Sequence, residues 1–291
     1  MPTSDVEVAG ADLAERSLRR WPKLPLFFWL AVFWIAIVVL AAAAADLIAL
    51  PSPTDMDMLE KRMPPSAAHL LGTDGLGRDM LARLIHGARI SLTVGLAAPL
   101  IGLIFGGALG MLAGYLRGPL ETTVVASVDV LLAFPPLVLA LALTAYLGQT
   151  VANLTYIIGI LSIPAFTRVA RAATLSLAQR EFIMAARAIG ATEPRIILRE
   201  LLPNVILPLT VFFLLAVAVT IVVEGALSFL GLGVPPPAPS WGSMIGEGRE
   251  SLEIAPRIAF LPAGVMFLTV LSFNVVGDTL RAITDPRQAA F

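Results

Sequence analysis

Cysteine is missing from this chain of 291 residues. That excludes disulfides, iron–sulfur clusters and thiolate metal sites, and leaves the redox compartment open. Charge is scarce: Asp, Glu, Lys and Arg make up 14% of the residues, where ordinary soluble domains carry about 25%. The two signs almost cancel, to a net charge of −1, so there is no basic field to draw in a nucleic acid. Lysine is reduced to Lys23 and Lys61. Neither follows a glycine loop, so the chain cannot build a Walker A cradle, whose Lys must reach the terminal phosphates of a nucleotide. The histidines are His69 and His86, both in one polar segment. No H-E-x-x-H pair and no G-x-S-x-G turn occurs, and a serine nucleophile without a nearby base is inert. The remaining enzyme class is an intramembrane hydrolase built on Asp129 and Asp278, which both fall inside apolar runs.

Apolar residues are abundant, at 57%, and they come in runs long enough to cross a hydrocarbon layer of about 30 Å. The chain reads as an all-α polytopic membrane protein with six spans, at residues 26–48, 91–116, 124–148, 151–169, 205–232 and 258–280. Residues 1–25 form a polar tail and 281–291 a short polar end, with 91–280 as a five-helix core. The alanines at 41–45 resemble a signal-peptidase site, but an apolar run of more than about 20 residues before them favours a retained anchor. With both termini inside, 13 of the 20 basic residues lie on the inner side (Arg16, Arg19, Arg20, Lys23, Arg117, Arg168, Arg171, Arg180, Arg187, Arg195, Arg199, Arg281 and Arg287). The bias follows the positive-inside rule, and pairing of outer arginines with Asp74 and Asp79 would reduce the remaining conflict.

Between the first two spans, residues 49–90 carry four prolines (Pro51, Pro53, Pro64, Pro65) and a turn at Thr73-Asp74-Gly75. Met80, Leu81, Leu84, Ile85 and Ala88 then alternate with Asp79, Arg83, His86 and Arg89. The spacing predicts an amphipathic helix along the outer interface, ending where the second span begins. Gly102, Gly106, Gly107, Gly110 and Gly114 in that span give small-residue spacing for close helix contact. Pro135 and Pro136 predict a kink that frees backbone carbonyls.

The stretch 171–204 is a polar, arginine-rich insert between two apolar spans. Phe182, Ala185, Ala186 and Ile189 recur at helical spacing, centred on two alanines that another surface can approach closely. Gly190 suits a left-handed helix end, and Thr192 with Glu193 offers an N-cap and a favourable charge for a second helix that ends at Leu202-Pro203.

The pattern Ala185-Ala186, Gly190, Leu202-Pro203 resembles the "EAA" loop of permease subunits of ABC importers, with Met184 in place of the motif's Glu, Glu181 as the nearest acid, and Glu200 in place of an apolar residue. The words LGTDGLGRD, GARISL, AGY, SVDVLLAFPPLVLALAL, EGALSFLGLG and the segment through Ser240-Trp241-Gly242 resemble the C-type permease of dipeptide, oligopeptide and nickel importers, over residues 66–287. The resemblance implies a type I importer fold and a coupling helix that docks on an ATPase subunit. It also implies the partners: a second homologous permease, two ATPase subunits that hold ATP and Mg, and an extracytoplasmic solute-binding protein, with no cofactor in this chain. The coupling residues it implies are Glu181, Ala185, Ala186, Gly190, Thr192, Leu202 and Pro203, and the candidate binding-protein contacts are Asp74, Arg78, Ser240 and Trp241. Peptides are the implied solute, with nickel or another metal chelate as the alternative.

Carboxylates within spans are costly and mark either a pathway or an internal pair. Asp129, Glu224 and Asp278 are therefore candidates for the translocation path or for polar contacts between helices, and Asn274, one turn before Asp278, is its expected hydrogen-bond partner.

Overall fold

The computed structural model describes residues 24–284. The N-terminal tail, apart from its last two residues, and the segment 285–291 lie outside the described residues. In chain order the helices are α1 (Leu26–Ala43), α2 (Met80–Leu116), α3 (Gly118–Leu132), α4 (Pro136–Leu147), α5 (Val151–Leu177), α6 (Glu181–Ala188), α7 (Glu193–Phe229), α8 (Trp241–Gly248) and α9 (Arg257–Thr284). Five of them, α1, α2, α5, α7 and α9, are long and apolar enough to cross a membrane. The pair α3 and α4 makes a sixth span when counted as one, and the two halves meet at 80°. Consecutive prolines cause this break. Pro135 has ψ 118°, as a residue before proline must leave the α region, and Pro136 starts the new helix, where no backbone donor is needed.

Several boundaries differ from the sequence reading: α1 stops at Ala43, α3 begins at Gly118, α5 runs on to Leu177 inside the expected insert, and two further differences are larger. The helix expected to lie along the outer interface up to residue 90 runs without a break into the second span, as α2. Its polar stripe is only partly solvated: Arg89 and His86 stay partly exposed, whereas Arg83 is 1% exposed because carboxylates from outside the helix neutralise it. The second helix of the 171–204 insert does not stop at Leu202-Pro203 either. A π-helical stretch at Ile196–Leu201 absorbs the proline, whose missing N–H and ring would otherwise disrupt the turn below it, and α7 continues to Phe229.

The glycine spacing in α2 does what it predicts. Gly102, Gly106, Gly110 and Gly114, four apart, lie against α5: a Cβ on Gly106 would stand 2.5 Å from the Ile163 carbonyl oxygen, and one on Gly110 2.2 Å from that of Thr167. Only the bare backbone fits there. Gly107, off this line, would meet nothing closer than a Leu209 methyl at 3.3 Å.

Four apolar clusters fill the bundle. One, around Trp241, Met80, Ile221 and Phe273, closes the end opposite α6. A second joins α2, α4, α5 and α7 through Val94, Ala140, Leu154 and Leu227. A third pairs α5 with α7 through Phe166 and Leu209. The last, Met111, Tyr115, Ile183, Ile196 and Leu201, anchors α6 and the start of α7 to the end of α2.

Candidate functional site

At the α6 end of the bundle, a helical hairpin is built from α6, the turn 189–192 and the first turns of α7. Gly190 has φ +80°, the left-handed geometry that glycine adopts without strain. Its N–H bonds the Arg187 carbonyl, and the next N–H bonds that of Ala186, which closes the helix end. Thr192 occupies the N-cap position, but its side chain makes no capping bond. Glu193 instead accepts a hydrogen bond from the Tyr115 hydroxyl. The Tyr115 ring lies under the Arg187 guanidinium, 5.3 Å from its centroid, a cation–π contact. Tyr115, at the end of α2, thus holds both arms of the hairpin.

The inward face of α6 is Ile183, fully buried, with Ala186 packed beside it. The outward face carries Ala185, flanked by Phe182, Met184 and Ile189, the last 81% exposed. Of the two alanines expected at the centre of the docking face, Ala185 lies outside and Ala186 inside. Leu202 packs on the hairpin cluster and begins the regular part of α7, with Pro203 in its first turn.

The acids within the spans are dispersed. Glu224 is fully buried, and its two oxygens accept from Ser91 at 2.8 Å and Ser228 at 2.6 Å. Ser91 in turn accepts the Trp241 N–H at 3.3 Å. Glu224 therefore ties α2, α7 and α8 together. Asp129 pairs with Arg168 of α5 at 2.7 Å, both more than half exposed. Asn274 donates to the Val270 carbonyl, four residues back, and not to Asp278, which is exposed.

At the opposite end lies a dense ionic cluster. Arg78 Nε donates to Asp74 at 2.6 Å, and Arg78 and Arg83 both reach one oxygen of Glu247, Arg83 at 2.9 Å. Asp74 also accepts the backbone N–H of Leu76 and Arg78, which makes the turn expected at 73–75. The expected pairing of outer arginines therefore holds for Asp74, whereas Asp79 caps α2 by accepting from Ala82 N at 2.7 Å and bonds His69 at 2.9 Å. The other nitrogen of His69 bonds Glu60 at 2.8 Å. These bonds raise the His69 pKa, the one to Asp79 most, against an opposing effect of burial.

Residues 106–290 match the family described as the inner membrane component of binding-protein-dependent transport systems. The chain belongs to this family. Among curated relatives, the permease protein GsiD of the glutathione transport system of Pectobacterium atrosepticum is 41% identical over 256 residues, covering 88% of this chain and 85% of the relative. Its counterpart from Escherichia coli O6:K15:H31 is 42% identical over 269 residues, covering 92% and 89%. Among solved structures, the MetNI methionine ABC transporter in inward-facing form aligns with TM-score 0.59 at 20% identity, over 71% of this chain and 98% of that one, which shows the type I permease fold.

This permease is a multi-pass inner-membrane component of a transport system. Its four candidate contacts for a binding protein are interior: Asp74 is 3% exposed, Arg78 2%, and Ser240 and Trp241 are fully buried. Ser240 and Ser243 form a reciprocal capping box at the start of α8, and the Trp241 indole donates to the Leu84 carbonyl at 3.1 Å. The motif words around them therefore mark a tightly built joint rather than a free surface. Sequence reasoning gave no role to Tyr115, Ile183, Glu247 or His69, and placed Arg83 only on the polar stripe of the amphipathic helix. For Tyr115 a signal existed, since the AGY word ends the glycine-lined helix, four residues after Met111 on the same face.

Proposed function

We propose that this permease is one of two homologous membrane subunits of an ATP-driven importer for small peptides. It would receive solute from an extracytoplasmic binding protein and be driven by two ATPase subunits that hold ATP and Mg. The observation that carries the coupling role is the hairpin. Its outward face of Phe182, Met184, Ala185 and Ile189 is apolar and exposed among the described residues, while its inward face is fixed to α2 and α7 through Tyr115 and Ile183. A surface displaced by a partner therefore moves two spans. The 41–42% identity to GsiD proteins over most of their length supports a peptide as solute. The absence of a Walker A lysine supports nucleotide chemistry in trans.

The hairpin end, rich in Arg180, Arg187, Arg195 and Arg199, is assigned to the cytoplasm with both termini. Because the chain lacks cysteine, single cysteines test this cleanly. Leu59→Cys, 94% exposed at the other end, should react with an impermeant thiol reagent from outside, and Thr192→Cys only after permeabilisation. For function, the complex reconstituted with both permeases, its ATPases and its binding protein should hydrolyse ATP faster when a dipeptide-loaded binding protein is added, and should accumulate the dipeptide. Reversed labelling would overturn the orientation. Uptake of a nickel chelate with no peptide uptake would overturn the solute class.

A further inference from the structure

On α1 and most of α9 the exposed surface is apolar, with Phe27, Phe33 and Leu40 on α1 and Phe260, Phe267 and Leu271 on α9, although Asp278 is exposed towards the end of α9. α3 and the adjoining face of α5 depart from this. In α3 only Val128 is buried, and the exposed positions include Thr122, Thr123, Ser127 and Asp129. Each of the three hydroxyls donates to the carbonyl four residues back, which leaves its lone pairs turned outward. Facing Asp129 across the gap is Arg168, on a 27-residue span.

Two ion pairs join α3 to α5, and they are made differently. Arg171 grips one oxygen of Glu121 with two nitrogens and is 35% exposed, its partner 21%. Arg168 touches Asp129 through one nitrogen on one oxygen, at 60% and 54% exposure. The first pair is a staple. Among the described residues the second leaves a carboxylate oxygen and the other guanidinium nitrogens without a partner, so it presents both signs of charge with unused hydrogen-bonding capacity. At hydrocarbon depth such an arrangement is costly against lipid, and charged groups within spans turn to protein or water.

Resting on the peptide-importer reading above, we propose that Thr122, Asp129 and Arg168 line an aqueous route through this permease, and that the Asp129–Arg168 pair opens to accept a zwitterion. Asp129 would hold the solute's ammonium and Arg168 its carboxylate, each exchanging one ionic partner for another. One ion pair breaks and two form, so each protein charge keeps a partner and each charged end of the solute gains one as it passes.

The test uses the complete transporter with single cysteines at Ala126, one turn before Asp129, and at Ala172, one turn after Arg168, both exposed. Phe33→Cys on α1 is the apolar reference. Anionic (sulfonatoethyl) and cationic (trimethylammonioethyl) methanethiosulfonates are the probes. Both reporters should react at least tenfold faster than Phe33→Cys, and Arg168→Gln should lower the anionic-to-cationic rate ratio about threefold. Reporters that are inert in the complex but reactive without the second permease would overturn the route, with that subunit covering the strip; inertness in both would place the strip in lipid and overturn it as well. For the solute contact, the double variant Asp129→Asn with Arg168→Gln should lower dialanine moved per ATP hydrolysed about tenfold. An unchanged ratio would overturn the zwitterion site. If the wild-type complex moves no peptide, the labelling still decides whether the strip is wet, so the two readings fail separately.

Discussion

The seam between α2 and α5 allows a prediction with a built-in control. Alanine at Gly110 places its Cβ 2.2 Å from the Thr167 carbonyl oxygen, 2.8 Å from the Ala170 Cβ and 2.9 Å from the Arg171 nitrogen. Ordinary contact begins near 3.4 Å, so the helices must part by about 1.2 Å. The opposing atoms are mostly backbone and cannot rotate away. Overpacking of this kind costs about 1–3 kcal/mol, and a gap of roughly 1 Å along the rest of the seam forfeits about half of each contact's dispersion energy. The sum places Gly110→Ala at about 2–4 kcal/mol of clash. Gly107→Ala is the reference, because it meets only the movable Leu209 methyl at 3.3 Å. Both changes gain the same helix propensity, about 1 kcal/mol, so their difference isolates the clash. Unfolding of the purified variants in mixed micelles, followed by circular dichroism against SDS mole fraction, should separate them by more than about 2 kcal/mol. Midpoints that coincide would refute the claim that α2 and α5 touch backbone to backbone.

On the hairpin, Ala185→Glu should abolish binding-protein-stimulated ATP hydrolysis at normal membrane abundance, since it alters only the outward face. Ala186→Glu, facing Tyr115 and Ile183, should lower abundance and protease resistance of the hairpin; equal behaviour of the two variants would mean that α6 is seated differently. The His69 pKa is raised in the folded chain, chiefly by Asp79 and then by Glu60. Its contribution is therefore fully present below the unfolded value, about 6.5, and is lost as pH rises through the raised value. The melting temperature of the wild type should exceed that of His69→Gln at pH 5.5 and converge on it by about pH 9, and parallel profiles would show that the bridge carries no stability. Glu224→Gln should keep abundance and uptake near normal, because a neutral amide still serves Ser91 and Ser228. Glu224→Leu leaves those hydroxyls unpaired at about 1–3 kcal/mol and should reduce abundance. Loss of uptake in Glu224→Gln at full abundance would make this side chain a charge in the path rather than a joint.

Backbone-dictated features were legible in the sequence. Four glycines at a spacing of four can only mark a face, adjacent prolines must break a helix, and Gly190 with no periodic residue after it points to a left-handed turn. Features that depend on which face turns inward were not. α6 is apolar on both sides, with Ile183 and Ala186 against Phe182, Ala185 and Ile189, so periodicity finds two stripes and cannot rank them. Arg83 reads as a solvated charge because its partners come from residue 74, nearby, and residue 247, far along the chain. Asp129 and Arg168 are 39 positions apart, and only the fold of α3 onto α5 joins them. The Ser240-Trp241-Gly242 word follows a proline-rich stretch and therefore reads as surface. Gly242, whose Cβ would stand 2.4 Å from the Gly225 carbonyl oxygen, shows that it is pressed into α7.

α7 is a single helix of 37 residues, about 55 Å from end to end at 1.5 Å per residue. It starts inside the hairpin, where Glu193 is held by Tyr115, and near its far end carries Glu224, bonded towards α2 and α8. Considered mechanically, it is a rod clamped at both ends and loaded at one. A tilt of about 5° at the hairpin sweeps the far end through roughly 5 Å, about one helical turn, with two places along α7 that can dissipate it, the π-helical stretch at Ile196–Leu201 and the internal Pro208. That stretch lies within the first quarter of the rod, on the loaded side. Its stiffness sets what fraction of a torque applied to α6 arrives at the Glu224 joint. A substitution that straightens or loosens those few residues would change the gearing of the whole molecule without touching either end.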